Sequence, residues 1–373
     1  MTDALTVLAL ALAVIHFGFP LLYYLYLRSR WLNRSWDLGR DPSYRPKVTI
    51  VVPTYNEASL IKRKLDNIAS QDYPKELLEI IVVDSASTDG TPSIVREWME
   101  NHRDLKIVLI EEGVRRGKAF ALNNALRLTS GEVVVVTDAD SLWISRDTLA
   151  NALSWFSDSR VGAVTCIKQP VGEGFAGIEK GYRDYYNVVR LGESKKHSTP
   201  VFHGELAAFR KDLLVQLGGF PTDIGSDDSH TATLIALKGY RAIAVDNTAC
   251  AEPVPGKGYH MWRIRRAQHL IQHFTKTLKL MPKAPKEFKP ILLAETWLHL
   301  ANPWLLLIVV AILIYKALTD STTAIALLAT GLALLLFKPY RTWIATQIYL
   351  ITASMRNLWT KEIAWEKQEK ASQ

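Results

Sequence analysis

Val133-Val134-Val135-Val136-Thr137-Asp138-Ala139-Asp140 decides the fold. Four successive valines show no inside–outside alternation, so they read as a strand buried on both faces, which means a parallel sheet covered by helices. Working outward, Val48 to Val52, Ile80 to Val83 and Lys106 to Ile110 read the same way. Between these runs, Glu57 to Ser70, Thr91 to Asn101 and Lys118 to Leu128 have helical length and period. The repeated βαβ pattern predicts an α/β, doubly wound, mostly parallel sheet with helices on both faces. Ligands of such sheets bind beyond the carboxyl ends of the strands.

Three strand ends deliver acidic or amide side chains to that edge: Pro53-Thr54-Tyr55-Asn56-Glu57, Asp84-Ser85-Ala86-Ser87-Thr88-Asp89-Gly90-Thr91 and Thr137-Asp138-Ala139-Asp140. Helix capping accounts for Thr91 and Asn56. It does not account for Asp138 and Asp140 together, because one cap needs one acceptor. Two carboxylates with one residue between them suit Mg²⁺ or Mn²⁺, hard ions that take oxygen ligands beside substrate phosphates. Gly113 to Ala119 looks like a P-loop but is one residue short and lacks the hydroxyl residue after Lys118. It remains a basic turn opening a helix, able to receive a phosphate.

The chain also carries membrane signals. Ala4 to Leu27 holds no Lys, Arg, Asp or Glu over 24 positions and is long enough to span a bilayer. Lacking a basic leader and a cleavage site, it reads as a signal anchor. Trp297 to Leu318 and the 16 residues Thr322 to Phe337 are further apolar runs. Arg28, Arg30, Arg34 and Arg40 follow the first run, five lysines from Lys276 to Lys289 precede the second, and Lys338 and Arg341 follow the third. All three clusters share one side if the chain is multi-pass with three spans, its N-terminus outside and its large middle segment and C-terminus cytoplasmic. The expected organisation is therefore an anchor over 1–27, a basic linker over 28–47 and a cytoplasmic α/β domain over 48–257. Amphipathic, interfacial helices over 258–290 precede two transmembrane helices over 291–337. An interfacial helix and tail occupy 338–373. Apolar residues make up 48% and charged residues 22%, which excludes general disorder. The excess of 45 basic over 37 acidic residues fits membrane lipids and requires no nucleic acid. Cys166 and Cys250 read as small buried hydrophobes. Within the α/β domain Phe175 to Lys195 and Asp228 to Lys238 are expected helices, and Val201 to Phe209 a strand. His260, His269 and His273 are expected at surfaces or interfaces.

Taken in order, the Pro-x-Tyr-Asn-Glu turn, Asp84 with Thr88-Asp89-Gly90-Thr91, Gly117-Lys118 through Asn123, and Asp138-x-Asp140 resemble family 2 inverting glycosyltransferases. His203-Gly204-Glu205 through Arg210, Gly218-Gly219-Phe220, Ser226-Asp227-Asp228 and Gly239-Tyr240-Arg241 extend the likeness over roughly Val48 to Arg266. The flanking apolar helices make it similar to a minimal cellulose synthase-like branch. The resemblance implies a GT-A-type fold and direct displacement at the anomeric carbon with inversion. It places Pro53, Tyr55, Glu57 and Asp84 in the nucleotide-sugar site, Glu57 and Asp84 against the nucleoside, with Lys118 and Asp138 nearby. Asp140 would ligate the metal beside Asp138, and His203, Gly204 and Glu205 would lie on the acceptor side. Asp228 would be the base that takes the acceptor's proton, with Asp227 as second candidate; as an alternative, the two cap and charge a helix N-terminus. For the leaving diphosphate, Arg266 keeps the arginine of the branch's Gln-x-x-Arg-Trp motif, with Arg265 as alternative. Arg263 and Ala267 depart from that motif, which argues against processive polymer synthesis.

The expected reaction moves a hexose, mannose from GDP-mannose ahead of glucose from UDP-glucose, onto a lipid-linked saccharide or glycolipid. A polyprenyl-phosphate hexose synthase and a catalytically silent membrane scaffold are the alternatives.

Overall fold

The computed structural model describes residues 4–360. One eight-stranded sheet forms the centre. Its strands are β1 (Val48–Thr54), β2 (Leu78–Ser85), β3 (Lys106–Glu112), β4 (Val133–Val136), β5 (Leu142–Trp143), β6 (Val161–Val171), β7 (Ala207–Arg210) and β8 (Arg241–Pro253). They lie in the order β3-β2-β1-β4-β7-β6-β8-β5. β1 runs parallel to β2 and β4, and β3 is parallel to β2. β7 is antiparallel to both β4 and β6. The sheet is thus mixed, of GT-A type, with helices on both faces and a separate core against each.

The valines of β4 are fully buried and pair with β1 in register, Val48 opposite Val133 and Val51 opposite Val136. That register brings Pro53 and Asp138 to one edge. β3 differs from the expectation of burial on both faces: it is the edge strand, and Ile107 to Ile110 stay half-buried because among the described residues no strand pairs with its outer side. The expected strand Val201 to Phe209 shrinks to Ala207–Arg210. The six residues before Ala207 instead leave the ladder and form a loop against the end of β4.

The first apolar helix, Ala4–Leu27, continues through one π turn to Leu32, and Lys289–Leu318 forms a second helix of 30 residues. Both are long and apolar enough to cross a membrane. The third apolar run departs from a simple span. Thr322–Leu334 is a 13-residue helix, about 20 Å long by its rise, and it bends by 104° into Lys338–Arg356. Together the bent pair provides at most one further crossing.

Close contacts dock these helices onto the catalytic body. A Cβ on Gly192 would sit 2.8 Å from Leu27 Cβ, so only glycine lets the helix Ala176–Lys196 meet the first apolar helix there. Tyr23 donates to Glu193 (2.8 Å), and Tyr24 stacks on Tyr185 at 5.0 Å. The basic segment 28–47 is strapped across the body: Gly39 N donates to Asp158 (2.8 Å), and Arg241 pairs with Asp37 at 2.7 Å. Met281, Phe288, Ile291 and Leu292 lie in the same core as one sheet face. Lys338–Arg356 packs along Tyr259–Leu278, and Asn357 beyond its end accepts from Gln272 (3.0 Å).

Candidate functional site

The loops after β1 and β2 are stitched to each other. Asn56, held at φ 55°, donates through its backbone to Ser87 Oγ (2.7 Å) and accepts from Thr88 N on its side chain (2.8 Å). Glu57 N donates to Thr91 Oγ1 (2.8 Å) and Ala58 N to Asp89 (3.0 Å). Asn56 and Thr91 therefore act across two loops, and the cap of the helix Thr91–Asn101 is Gly90. Asp84 is buried, and its carboxylate accepts from Thr54 Oγ1 (3.1 Å) and Ser87 N (2.9 Å). It holds the turn, while Ser85 faces the cleft.

A cleft of about 860 Å³ opens over this edge. Pro53, Tyr55, Glu57, Lys118, Asp138 and Asp140 line one part of it. His203, Gly204, Glu205, Asp227, Asp228, Arg265 and Arg266 line another part, so every sequence-selected residue meets there except Asp84, which stands behind. Arg115, which the sequence did not single out, lies over the Tyr55 ring at 3.8 Å.

Lys118 is the hinge of the arrangement. Its ammonium lies 2.7 Å from Asp138 Oδ1 and 3.9 Å from Asp227 Oδ2. Burial opposes its charge, but Asp138, Asp227 and Asp228 outweigh burial and raise its pKa. Gly204 makes this packing possible, because a Cβ there would lie 2.7 Å from Asp138 Oδ2 and 2.8 Å from Lys118 Nζ. Its carbonyl accepts from Asp138 N (2.9 Å). That close approach is why the chain leaves the strand pattern over 201–206.

Asp227 and Asp228 open the helix Asp227–Leu237. Asp228 accepts from Ser229 N (2.6 Å). Burial, then the neighbouring Asp227 charge, push its carboxyl up to about 7. Asp227 is raised too, by burial first, with Lys118 acting against the rise. A carboxyl poised near neutrality is suited to accept a proton.

Arg265 and Arg266 part company. Arg266 stacks on Trp262 at 4.1 Å and is bound by Glu252 and by Glu205 (3.4 Å). Both carboxylates are buried, and both also hold Lys168, at 2.7 Å from Glu205 and 3.0 Å from Glu252. Arg183 reaches Glu252 (3.0 Å) and Glu179 (3.1 Å), and Arg263 adds Glu179 at 3.1 Å. Burial alone would raise Glu252; Arg183, Arg266 and Lys168 hold it well below the usual carboxylate range. Arg265 instead faces the cleft and makes no hydrogen bond or ion pair among the described residues. Burial and then Arg266 lower its pKa, while Asp140 and Asp138 act the other way. The network reached by Lys168, Arg183, Glu252 and Arg263 was not foreseen from sequence. Its one signal was charge placed inside otherwise apolar runs.

The histidines also differ from expectation. His203 is buried, and burial, then Lys168 and Arg183, lower its pKa well below the usual range. His269 lines the cleft against Gly225, and burial, then Arg265 and Arg266, lower it to about 3. His273 is fully buried beside His230, with 3.2 Å between their Nδ1 atoms. His273 therefore lies inside the body and not at a surface, whereas His269 is half-buried on the cleft wall. His260 does lie at the surface, 2.7 Å from Tyr349 Oη.

Comparison with known proteins places this geometry. The profile described as glycosyl transferase family 2 matches residues 49–218. A solved mannosyltransferase, PcManGT from Pyrobaculum calidifontis in complex with GDP-Man and Mn²⁺, is 59% identical. The similarity covers 96% of this chain and 100% of that one, with a TM-score of 0.90. The poly-beta-1,6-N-acetyl-D-glucosamine synthase of Staphylococcus epidermidis is 27% identical over 69% of this chain and 64% of its own length. The UDP-forming cellulose synthase catalytic subunit of Pseudomonas fluorescens is 27% identical over 78% of this chain and 39% of its own. The chain thus spans less than two thirds of the length of these two relatives. By its motif order, its sheet topology and its likeness over 96% of its length to a solved mannosyltransferase, the chain belongs to glycosyl transferase family 2.

Proposed function

We propose that this glycosyltransferase moves mannose from GDP-mannose to a hydroxyl of a membrane-borne acceptor, a lipid-linked saccharide or glycolipid, inverting the anomeric centre to give a β-linkage. The observation that carries the reading is Lys118, whose one ammonium reaches both Asp138 at 2.7 Å and Asp227 at 3.9 Å. It ties the end of β4 to the start of the helix that bears Asp228. The likeness to a mannosyltransferase complexed with GDP-Man and Mn²⁺ supports the donor.

In this reaction the acceptor oxygen attacks the anomeric carbon as the carbon–oxygen bond to the diphosphate breaks. Asp228 takes the acceptor's proton, and GDP departs with the bonding pair. Pro53, Tyr55 and Glu57 form the wall for the nucleoside, with Asp84 fixing the turn behind it. Asp140 and Asp138 would hold a Mn²⁺ or Mg²⁺ ion. The described residues contain no cluster of three or more His, Cys, Asp or Glu able to hold a metal. Asp138 and Asp140, both on the cleft wall, suit an ion whose remaining ligands come from diphosphate and water. Such an ion supplies charge neutralisation to the leaving diphosphate. Arg265 adds positive charge from the chain itself. His203, Gly204 and Glu205 shape the acceptor side. The two long apolar helices and the bent pair would anchor the enzyme, N-terminus outside, with cleft and C-terminus on the cytoplasmic side facing membrane lipids.

A donor panel tests this. Purified protein with Mn²⁺ should release nucleoside diphosphate from GDP-mannose in preference to UDP-glucose, faster when membrane lipid extract is present. Release from UDP-glucose alone would overturn the donor; no nucleotide binding at all would overturn catalysis.

A further inference from the structure

The helix Ile61–Ala69 turns an apolar stripe of Ile61, Leu65 and Ile68 into the core. Lys64 stands inside that stripe and is fully buried with it. A lysine on such a face ordinarily reaches water with its ammonium. This one reaches only the turn that follows Asp140. Its Nζ donates to Ser141 O (3.1 Å), lies 3.5 Å from Ser141 Oγ and sits over the Trp143 ring at 4.9 Å. Among the described residues it forms no ion pair.

Hydrogen bonding alone does not call for a charge here. The same helix and its end grip the chain further on with neutral amides. Asn67 donates to Trp143 O (3.0 Å) and accepts from Trp143 N (2.8 Å), and Gln71 donates to Ser145 O (3.1 Å). A buried ammonium is far more costly than an amide, so the charge needs an opposite charge. Burial lowers the Lys64 pKa to about 8, and Cys250, Asp138, Asp140 and Cys166 act against it in that order. Burial also pushes the Cys250 thiol well above its ordinary range, so it is uncharged at neutral pH. Asp138 and Asp140 are then the charges that matter most to Lys64. Both line the cleft and Lys64 does not, so it approaches them from behind. Lys118 already meets Asp138 at 2.7 Å, and the charges of Asp140 and Asp138 act on Arg265. Two carboxylates thus share three cations. A free divalent ion would meet repulsion from all three, whereas a diphosphate brings the negative charge that the pair lacks.

We propose that Lys64 is an internal counter-cation: its charge behind Asp138 and Asp140 weakens their hold on a free divalent ion and makes ion binding depend on the diphosphate. The inference rests on the reading of Asp138 and Asp140 as metal carboxylates.

Mn²⁺ binding to the full-length protein in detergent is read from the electron paramagnetic resonance signal of unbound ion, without nucleotide and with GDP. The wild type should bind Mn²⁺ at least about tenfold more tightly with GDP. Lys64→Met removes charge and donor, Lys64→Gln keeps a donor, and Lys64→Arg keeps the charge. Without nucleotide, Lys64→Met and Lys64→Gln should each bind Mn²⁺ about tenfold more tightly than the wild type. Lys64→Arg should match the wild type. A lysine with only a structural role would instead lower the metal-free unfolding temperature and leave Mn²⁺ affinity alone. Unchanged or weaker Mn²⁺ binding in both neutral variants, or a wild type that holds Mn²⁺ equally well without GDP, would overturn the counter-cation. A wild type that binds no Mn²⁺ even with GDP would overturn the metal reading of Asp138 and Asp140 on which it rests.

Discussion

Replacing Asp228 by Asn separates catalysis from stability at one atom. The side chain is held at about 7 in the folded protein against an ordinary 3.8. Because the folded value is the higher one, the stability this carboxyl contributes is fully present below pH 4. It is lost as pH rises through 7. Each pH unit between the two values is worth about 1.4 kcal/mol, so ionised Asp228 costs the wild type about 4 kcal/mol by pH 8. Asparagine keeps an oxygen to accept from Ser229 N, a bond of 2.6 Å in the wild type, and carries no charge. Asp228→Asn should therefore match the wild type in stability at pH 4 and exceed it at pH 8. Thermal unfolding in detergent, without divalent ions, reads the difference. The same variant should lose about 100- to 10,000-fold in mannosyl transfer, the usual worth of a general base. In the wild type, kcat/KM for the acceptor should fall about tenfold per pH unit below 7. Wild-type turnover in Asp228→Asn would refute the proton transfer, and a stability difference that does not change with pH would refute the electrostatic argument.

Other substitutions test the remaining parts. Asp140→Asn should weaken Mn²⁺-dependent GDP binding at least about tenfold in calorimetry while leaving metal-free binding unchanged; equal metal dependence would contradict a ligand role. Arg266→Ala removes one of the three cations bound to Glu252, leaving Lys168 and Arg183, and should destabilise by about 1–3 kcal/mol, measured by denaturation. Arg265→Ala should keep its melting temperature and lose GDP affinity; the reverse pattern would exchange the two roles. Gly204→Ala puts a Cβ 2.7 Å from Asp138 and 2.8 Å from Lys118. It should cost about 1–3 kcal/mol and most of the transfer activity, so a variant of wild-type stability and rate would count against the close packing.

The first half of the sheet was legible because β1, β2 and β4 are short β-branched runs closed by turn residues, and their register alone gathers Pro53, Glu57 and Asp138. β6 and β8 escaped notice. They run 11 and 13 residues and carry Gly162, Lys168, Pro170, Asp246 and Glu252, which look like loop residues until one sees Lys168 and Glu252 paired inside. Val201 to Phe209 reads as one strand from its apolar residues, but the approach of Gly204 to Asp138 takes 201–206 out of the ladder. Carboxylates at strand ends could be read from position. The division of labour between Arg265 and Arg266 could not, since it depends on Glu205 and Glu252, which reach Arg266 from other elements of the fold.

Following labelled mannose from GDP-mannose into the lipid phase, in the presence of Mn²⁺ and membrane lipid extract, tests the central claim most directly. One added mannose in β-linkage is expected, formed by the wild type and absent with Asp228→Asn. An α-linked product, or label released only to water, would contradict it.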